Sequence, residues 1–144
     1  MKISSRGRYG LRFMIDLAVN AENRPVSVKE ISERQDISVK YLENIIVQLV
    51  RAGLVKSARG ATGGYMLADT SDKISVGAVL RAVEGSLSPV ECVGNEGECP
   101  KISECYTAEL WKRIKEAVES VVDSTTLADL IKGKEALAEN PKGC

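Results

Sequence analysis

Three cysteines, Cys92, Cys99 and Cys105, fall within one short stretch that also holds Gly94, Gly97 and Pro100. Thiolates are soft anionic ligands, and three of them on a glycine- and proline-containing segment suit a compact iron centre better than a hydrophobic core. The same sulfurs permit two other chemistries. Clustered, exposed thiols act as reversible redox switches, and three sulfurs with one oxygen donor can hold zinc. In a reducing cytosol the four cysteines, Cys144 included, favour metal ligation or thiol chemistry over two structural disulfides. Enzymatic use of these thiols is not expected. The chain has no histidine to act as a base, and neither a phosphate-binding loop nor a nucleophile elbow is present.

Helical elements must flank such a segment to position it. Downstream, Leu110, Trp111, Ile114, Ala117, Val118, Val121 and Val122 form an apolar stripe at helical spacing over about four turns from Thr107. A long amphipathic helix outside a small head needs a partner surface, which a twofold mate supplies most simply. Thr126 with Asp129 begins a shorter helix by a capping-box pattern, and residues 133–144 are expected to fray. Upstream, residues 74–83 read as a short helix capped by Ser75.

The first part of the chain has a different character. Leu11, Met14, Ile15, Ala18 and Val19 place one apolar stripe on a helix over residues 7–20, whose start carries Arg6, Arg8 and Arg12. Ser27 with Glu30 predicts a capping box and a short second helix. A third helix opens at Ser38 and runs through Leu42, Ile45, Ile46, Leu49 and Val50 to Arg51, where Gly53 ends it. Two helices joined by a tight polar turn form a helix-turn-helix. Behind them, residues 54–59 and 64–68 are extended runs separated by Gly60-Ala61-Thr62-Gly63, a hairpin in the position of a wing. The fold class is therefore mostly α with a small β wing.

Charge supports a nucleic-acid partner for the first part alone. The formal net charge of the 144 residues is zero, yet residues 1–60 hold 11 Lys and Arg against 6 Asp and Glu, and residues 61–144 hold 9 against 14. A basic front with an acidic back suits a chain that meets phosphate through one half. On the third helix, Ser38, Lys40, Tyr41, Glu43, Asn44 and Gln48 are the candidates for the major groove, with Glu43 suited to accept from cytosine N4. Arg59 at the hairpin tip is the candidate for the minor groove, and Arg6, Arg8 and Lys56 are candidates for phosphate. No apolar run approaches the roughly 20 residues needed to span a bilayer, and no apolar leader is visible, so a cytoplasmic protein is expected.

These features occur in an ordered set. The opening Met1-Lys2-Ile3-Ser4-Ser5-Arg6-Gly7-Arg8-Tyr9-Gly10, Ile31-Ser32-Glu33-Arg34-Gln35 with Tyr41-Leu42-Glu43, the wing Val55-Lys56-Ser57-Ala58-Arg59-Gly60-Ala61-Thr62-Gly63-Gly64-Tyr65, and Leu80-Arg81-Ala82-Val83-Glu84-Gly85 all resemble the Rrf family of winged-helix repressors. The resemblance covers nearly the whole chain. It implies a homodimer of crossed C-terminal helices on palindromic double-stranded DNA, with Glu43 and Arg59 at specificity positions. The cysteine loop resembles the iron–sulfur-sensing, IscR-like branch, which implies a cluster held by Cys92, Cys99 and Cys105, a 2Fe-2S centre in preference to 4Fe-4S, and repression of cluster-biogenesis genes. The segment Ser86-Leu87-Ser88-Pro89-Val90 and Asp123-Ser124-Thr125-Thr126-Leu127 resemble instead the CymR-like cysteine-metabolism repressors, which act with a protein partner and lack the cluster cysteines. A nitric-oxide or thiol redox sensor is the remaining alternative.

One departure matters. The iron–sulfur-sensing branch places a histidine three residues after the last loop cysteine, where this chain has Ala108. Candidates for the fourth ligand are Glu104, Glu109 and Cys144, besides a residue from the partner's first helix, solvent or a small thiol. The expected organisation is a winged helix-turn-helix domain over residues 1–84, a cluster-binding loop over 85–106, a dimerisation helix and short following helix over 107–132, and a flexible tail over 133–144.

Overall fold

Serine caps set the starts of four helices. A serine hydroxyl that accepts from the amide three residues on satisfies one of the orphan donors of a first turn. In the computed structural model, which describes residues 2–94 and 99–139, Ser4 does this for α1 (Ser5–Asn20), Ser27 for α2 (Val28–Gln35), Ser38 for α3 (Val39–Arg51) and Ser75 for α4 (Val76–Glu84). At α2 the capping box is reciprocal, since Glu30 also accepts from the Ser27 amide at 2.9 Å. The turn into α3 passes through Asp36, whose φ of 53° is left-handed.

Between α3 and α4, β1 (Val55–Ala58) pairs antiparallel with β2 (Gly64–Leu67), Val55 opposite Leu67 and Ala58 opposite Gly64. An isolated bridge ties this hairpin to the head: Val26 and Tyr65 exchange backbone hydrogen bonds at 3.0 and 2.8 Å. At Gly64 a Cβ would run into the Val26 carbonyl, so glycine is required there by close backbone approach.

The cysteine loop follows α4, and its described residues include the short 3-10 turns Glu91–Val93 and Ile102–Glu104. It leads into α5 (Ala108–Ser124) and α6 (Leu127–Glu139), the latter opened by Thr126 and Asp129 in a second reciprocal box. Helix α6 continues through Glu139, past the expected limit at residue 132 and into the stretch read as a flexible tail. Gly133 does not stop it, because an exposed glycine costs a helix only about 1 kcal/mol.

The core forms around α1. Phe13, Met14 and Leu17 pack with Ile31, Leu42, Ile45, Leu49, Val79 and Leu127, all excluded from solvent. Leu127 therefore brings α6 back onto the winged head, and the backbone of Ile74 and Ser71 accepts from the amides of Leu127 and Ala128. Helix α5 is tied to α4 by Arg81, whose guanidinium forks onto Asp123 and lies 3.6 Å from Glu119. Arg81 holds the Asp123 carboxyl below the usual carboxylate range. Elsewhere α5 is thinly covered: Ala108 is its buried residue, whereas Leu110 and Val121 are 50% and 65% exposed.

Candidate functional site

The apolar residues Leu42, Ile45, Ile46 and Leu49 turn α3 inward, which leaves the opposite face in solvent. Lys40, Glu43 and Asn44 are exposed on that outer face, at the spacing of one helix side. Ser38 is exposed but spends its hydroxyl on capping, accepting from the Tyr41 amide at 3.2 Å. Tyr41 is half-buried, with its ring edge-on to Tyr9 at 5.5 Å between centroids. Gln48 differs from the others. Its side-chain oxygen is buried, with no hydrogen-bond partner among the described residues, so this residue is not turned fully outward. Val47, absent from the sequence-based set, is 49% exposed on the outer face beside Glu43 and Asn44. Its signal was available in the sequence, since a valine four residues after Glu43 must share that face.

The basic candidates are all exposed. Arg59 directly follows β1, at the tip of the hairpin, and Lys56 lies on that strand. Arg6 and Arg8 lie in the first turn of α1, where Arg8 donates to the Ser5 hydroxyl at 3.2 Å and stands 5.9 Å from the Tyr9 ring centre. That first turn is anchored from α4. The Glu84 carboxylate accepts from the amides of Ser4 and Gly7 at 3.0 and 2.9 Å and from the Ser4 hydroxyl. A carboxylate is well suited to a helix N-terminus, where the unsatisfied amides and the dipole both favour negative charge. Glu84 is also the last residue of α4, so the residue that begins the cysteine loop's approach holds the start of α1.

Within the loop, Cys92 belongs to the first 3-10 turn and Cys105 ends the second; Cys92 and Cys99 are half-buried and Cys105 is exposed, all three as free thiols. Cys105 lies just ahead of α5. The Thr107 hydroxyl, 3.4 Å from its sulfur, together with the amides of Thr107 and Ala108, pushes the Cys105 thiol down from its ordinary value. A stabilised thiolate is the form a metal takes. Glu104 and Glu109 are exposed, and Cys144 lies outside the described residues. Among the described residues, no three His, Cys, Asp or Glu side chains converge as a metal-holding group. The donor chemistry of the loop fits an iron–sulfur centre.

No helix of the described residues is long and apolar enough to cross a membrane. Against known proteins, residues 3–133 match the family model described as Rrf2, iron-dependent transcriptional regulator. The chain is 41% identical to the HTH-type transcriptional regulator IscR of Erwinia tasmaniensis over 137 residues, 95% of this chain and 82% of that one. It is similar to the solved structure of CymR, the global cysteine regulator of B. subtilis, with 48% identity and a TM-score of 0.75 over 90% of this chain and 95% of that chain. The structure of T. potens IscR aligns with the same TM-score, 42% identity, and 93% and 88% coverage of the two chains.

Proposed function

Because this chain belongs to the Rrf2 family of DNA-binding transcription regulators, and is not an enzyme, we propose that it is a homodimeric repressor whose DNA affinity is set by an iron–sulfur cluster on Cys92, Cys99 and Cys105. The observation that carries the reading is the loop itself: three free thiols, one of them just ahead of α5 and pushed below its ordinary value by Thr107, lie between the helix that anchors α1 and the helix that leaves Leu110 and Val121 exposed. A 2Fe-2S centre is favoured over 4Fe-4S, with Glu104, Glu109 or Cys144 as candidates for the remaining ligand. When bound, such a centre supplies a reversible response to iron, oxidants or nitric oxide.

The remaining roles fall to residues of this chain. Leu110 and Val121 cover one another's stripe in a dimer, which places two winged heads on one face of palindromic DNA. Lys40, Tyr41, Glu43 and Asn44 enter the major groove with Ser38 at the leading edge, Val47 is suited to a thymine methyl, and Gln48 stands at the margin. Arg59 reaches the minor groove, and Arg6, Arg8 and Lys56 meet phosphate. Glu84 transmits a change of the loop to Arg6 and Arg8 by moving the first turn of α1. Such a change acts by shifting the population in which the two heads match successive grooves. Residues 1–84, 85–106 and the helices beyond them form head, sensor and dimer arm.

A second reading, a CymR-like repressor of cysteine metabolism working with a protein partner, is favoured by the 48% identity to that structure. Selection of binding sites from random DNA by cluster-loaded and cluster-free protein decides between them. The first reading expects a palindrome whose enrichment depends on the cluster; equal enrichment by both forms contradicts it.

A further inference from the structure

Tyr9 and Arg12 are not accounted for by phosphate or base contact, yet they connect the first turn of α3 to Asp16, the buried charge among the described residues. Asp16, 2% exposed, accepts from Arg34 at 2.7 and 3.1 Å and from the Gln35 side-chain amide at 2.9 Å. Gln35 is the last residue of α2, and both of its oxygens accept from Arg12: Nε donates to the side-chain oxygen at 3.2 Å and Nη2 to the backbone carbonyl. The Arg12 guanidinium lies 5.4 Å from the Tyr9 ring centre, and the Tyr9 ring meets Tyr41, in the first turn of α3, at 5.5 Å and 80°.

We propose that Tyr9 and Arg12 are positioning residues for sequence discrimination, fixing the first turn of α3 relative to Asp16. The inference rests on the reading of α3 as the base-contacting helix. Three points of geometry carry it. The turn between α2 and α3 runs through Asp36 in the left-handed region, a sharp change of direction immediately before the cap of α3. Arg12 binds the carbonyl at the end of α2 beside that turn, where helix carbonyls lack partners and a cation is favoured. Tyr9 then contacts Tyr41 edge-to-face, an arrangement that fixes ring orientation as well as distance. The fork and the flat cationic face are both needed, and lysine supplies neither.

Discrimination is more sensitive to this clamp than affinity is. Phosphate contacts are indifferent to sequence and tolerate small rotations, whereas base edges must be met in register. The substitution Arg12→Lys keeps the charge and Arg12 is exposed, so folding and phosphate attraction survive. Kd values of the full chain for its best selected site and for unrelated DNA, at one salt concentration, give the ratio that matters. Arg12→Lys and Tyr9→Leu are expected to lower that ratio by about tenfold, with non-specific affinity of Arg12→Lys within about twofold of wild type. Tyr9→Phe keeps the ring and is expected to restore the ratio. A wild-type ratio in Arg12→Lys, or an equal loss on both DNAs, overturns the proposal. If wild type itself selects no sequence, the reading of α3 as the base-contacting helix falls first, and this inference with it.

Discussion

The carboxylate of Asp16 accepts two hydrogen bonds from one guanidinium, that of Arg34, at 2.7 and 3.1 Å, joining the middle of α1 to the end of α2 inside the helix-turn-helix. Asp16 is buried and Arg34 is about one-third exposed, so the pair is asymmetric: loss of the arginine strands a desolvated anion, while the arginine keeps partial access to water. Asn20 and Gln35 remain as partners for Asp16 and limit the damage. Arg34→Ala is expected to destabilise the fold by about 1–3 kcal/mol, measured by urea unfolding. A change near zero contradicts the assignment of Arg34 as the partner that makes burial of Asp16 tolerable.

The wing depends on a residue without a side chain. A Cβ at Gly64 meets the carbonyl of Val26, and that atom cannot yield without breaking the Val26–Tyr65 exchange. Gly64→Ala is expected to cost about 1–3 kcal/mol. Thermal unfolding measures the loss, and amide exchange at Val26 and Tyr65 locates it. Unchanged protection at those two amides contradicts the close-approach account.

Acid exposes the capping box of α2. The Arg24 guanidinium, followed by the Ser27 amide, lowers the Glu30 carboxyl from 4.5 to about 2. A carboxyl depressed in the folded state stabilises it above the unfolded value, and the contribution fades as pH falls from 4.5 towards 2. The stability difference between wild type and Glu30→Gln is therefore constant near neutrality and narrows through that window. A gap that stays constant across the window contradicts the assignment.

Contacts to bases and contacts to phosphate respond differently to substitution. Glu43→Ala is expected to relax preference at one position of the site by about 1–3 kcal/mol. Lys56→Ala is expected to weaken every sequence alike and to reduce the slope of log K against log salt by about one. Binding isotherms on a panel of single-base variants at several salt concentrations separate the two. Uniform weakening by Glu43→Ala places that residue outside the groove.

Local chemistry was legible in the sequence where both partners lie within one turn. Ser27 with Glu30 and Thr126 with Asp129 identified their boxes by spacing, and Ser38 and Ser75 marked helix starts that the structure reproduces. The two extended runs of the wing and the stripe of α5 were equally visible. What stayed hidden depends on residues far apart in the chain. Helix α1 begins at Ser5, two residues ahead of the expected start, supported by Glu84 some eighty positions later. The burial of Asp16 depends on Arg34, eighteen positions on, and the need for glycine at position 64 comes from Val26, which approaches from outside the hairpin; neither partner is marked by local spacing. Val50 was counted with the inward stripe of α3 but is 39% exposed, since helical rotation carries it past the core edge. The cysteine spacing suggested the metal chemistry, yet spacing cannot say whether three sulfurs meet at a point.

Iron and acid-labile sulfide, counted per chain in full-length protein purified without oxygen, test the sensory role most directly. The account predicts both in the isolated protein, with visible charge-transfer absorbance that disappears on Cys92→Ser, Cys99→Ser or Cys105→Ser. Colourless protein that takes up neither iron nor sulfide on reconstitution contradicts it, and leaves a DNA-binding regulator whose thiols serve another signal.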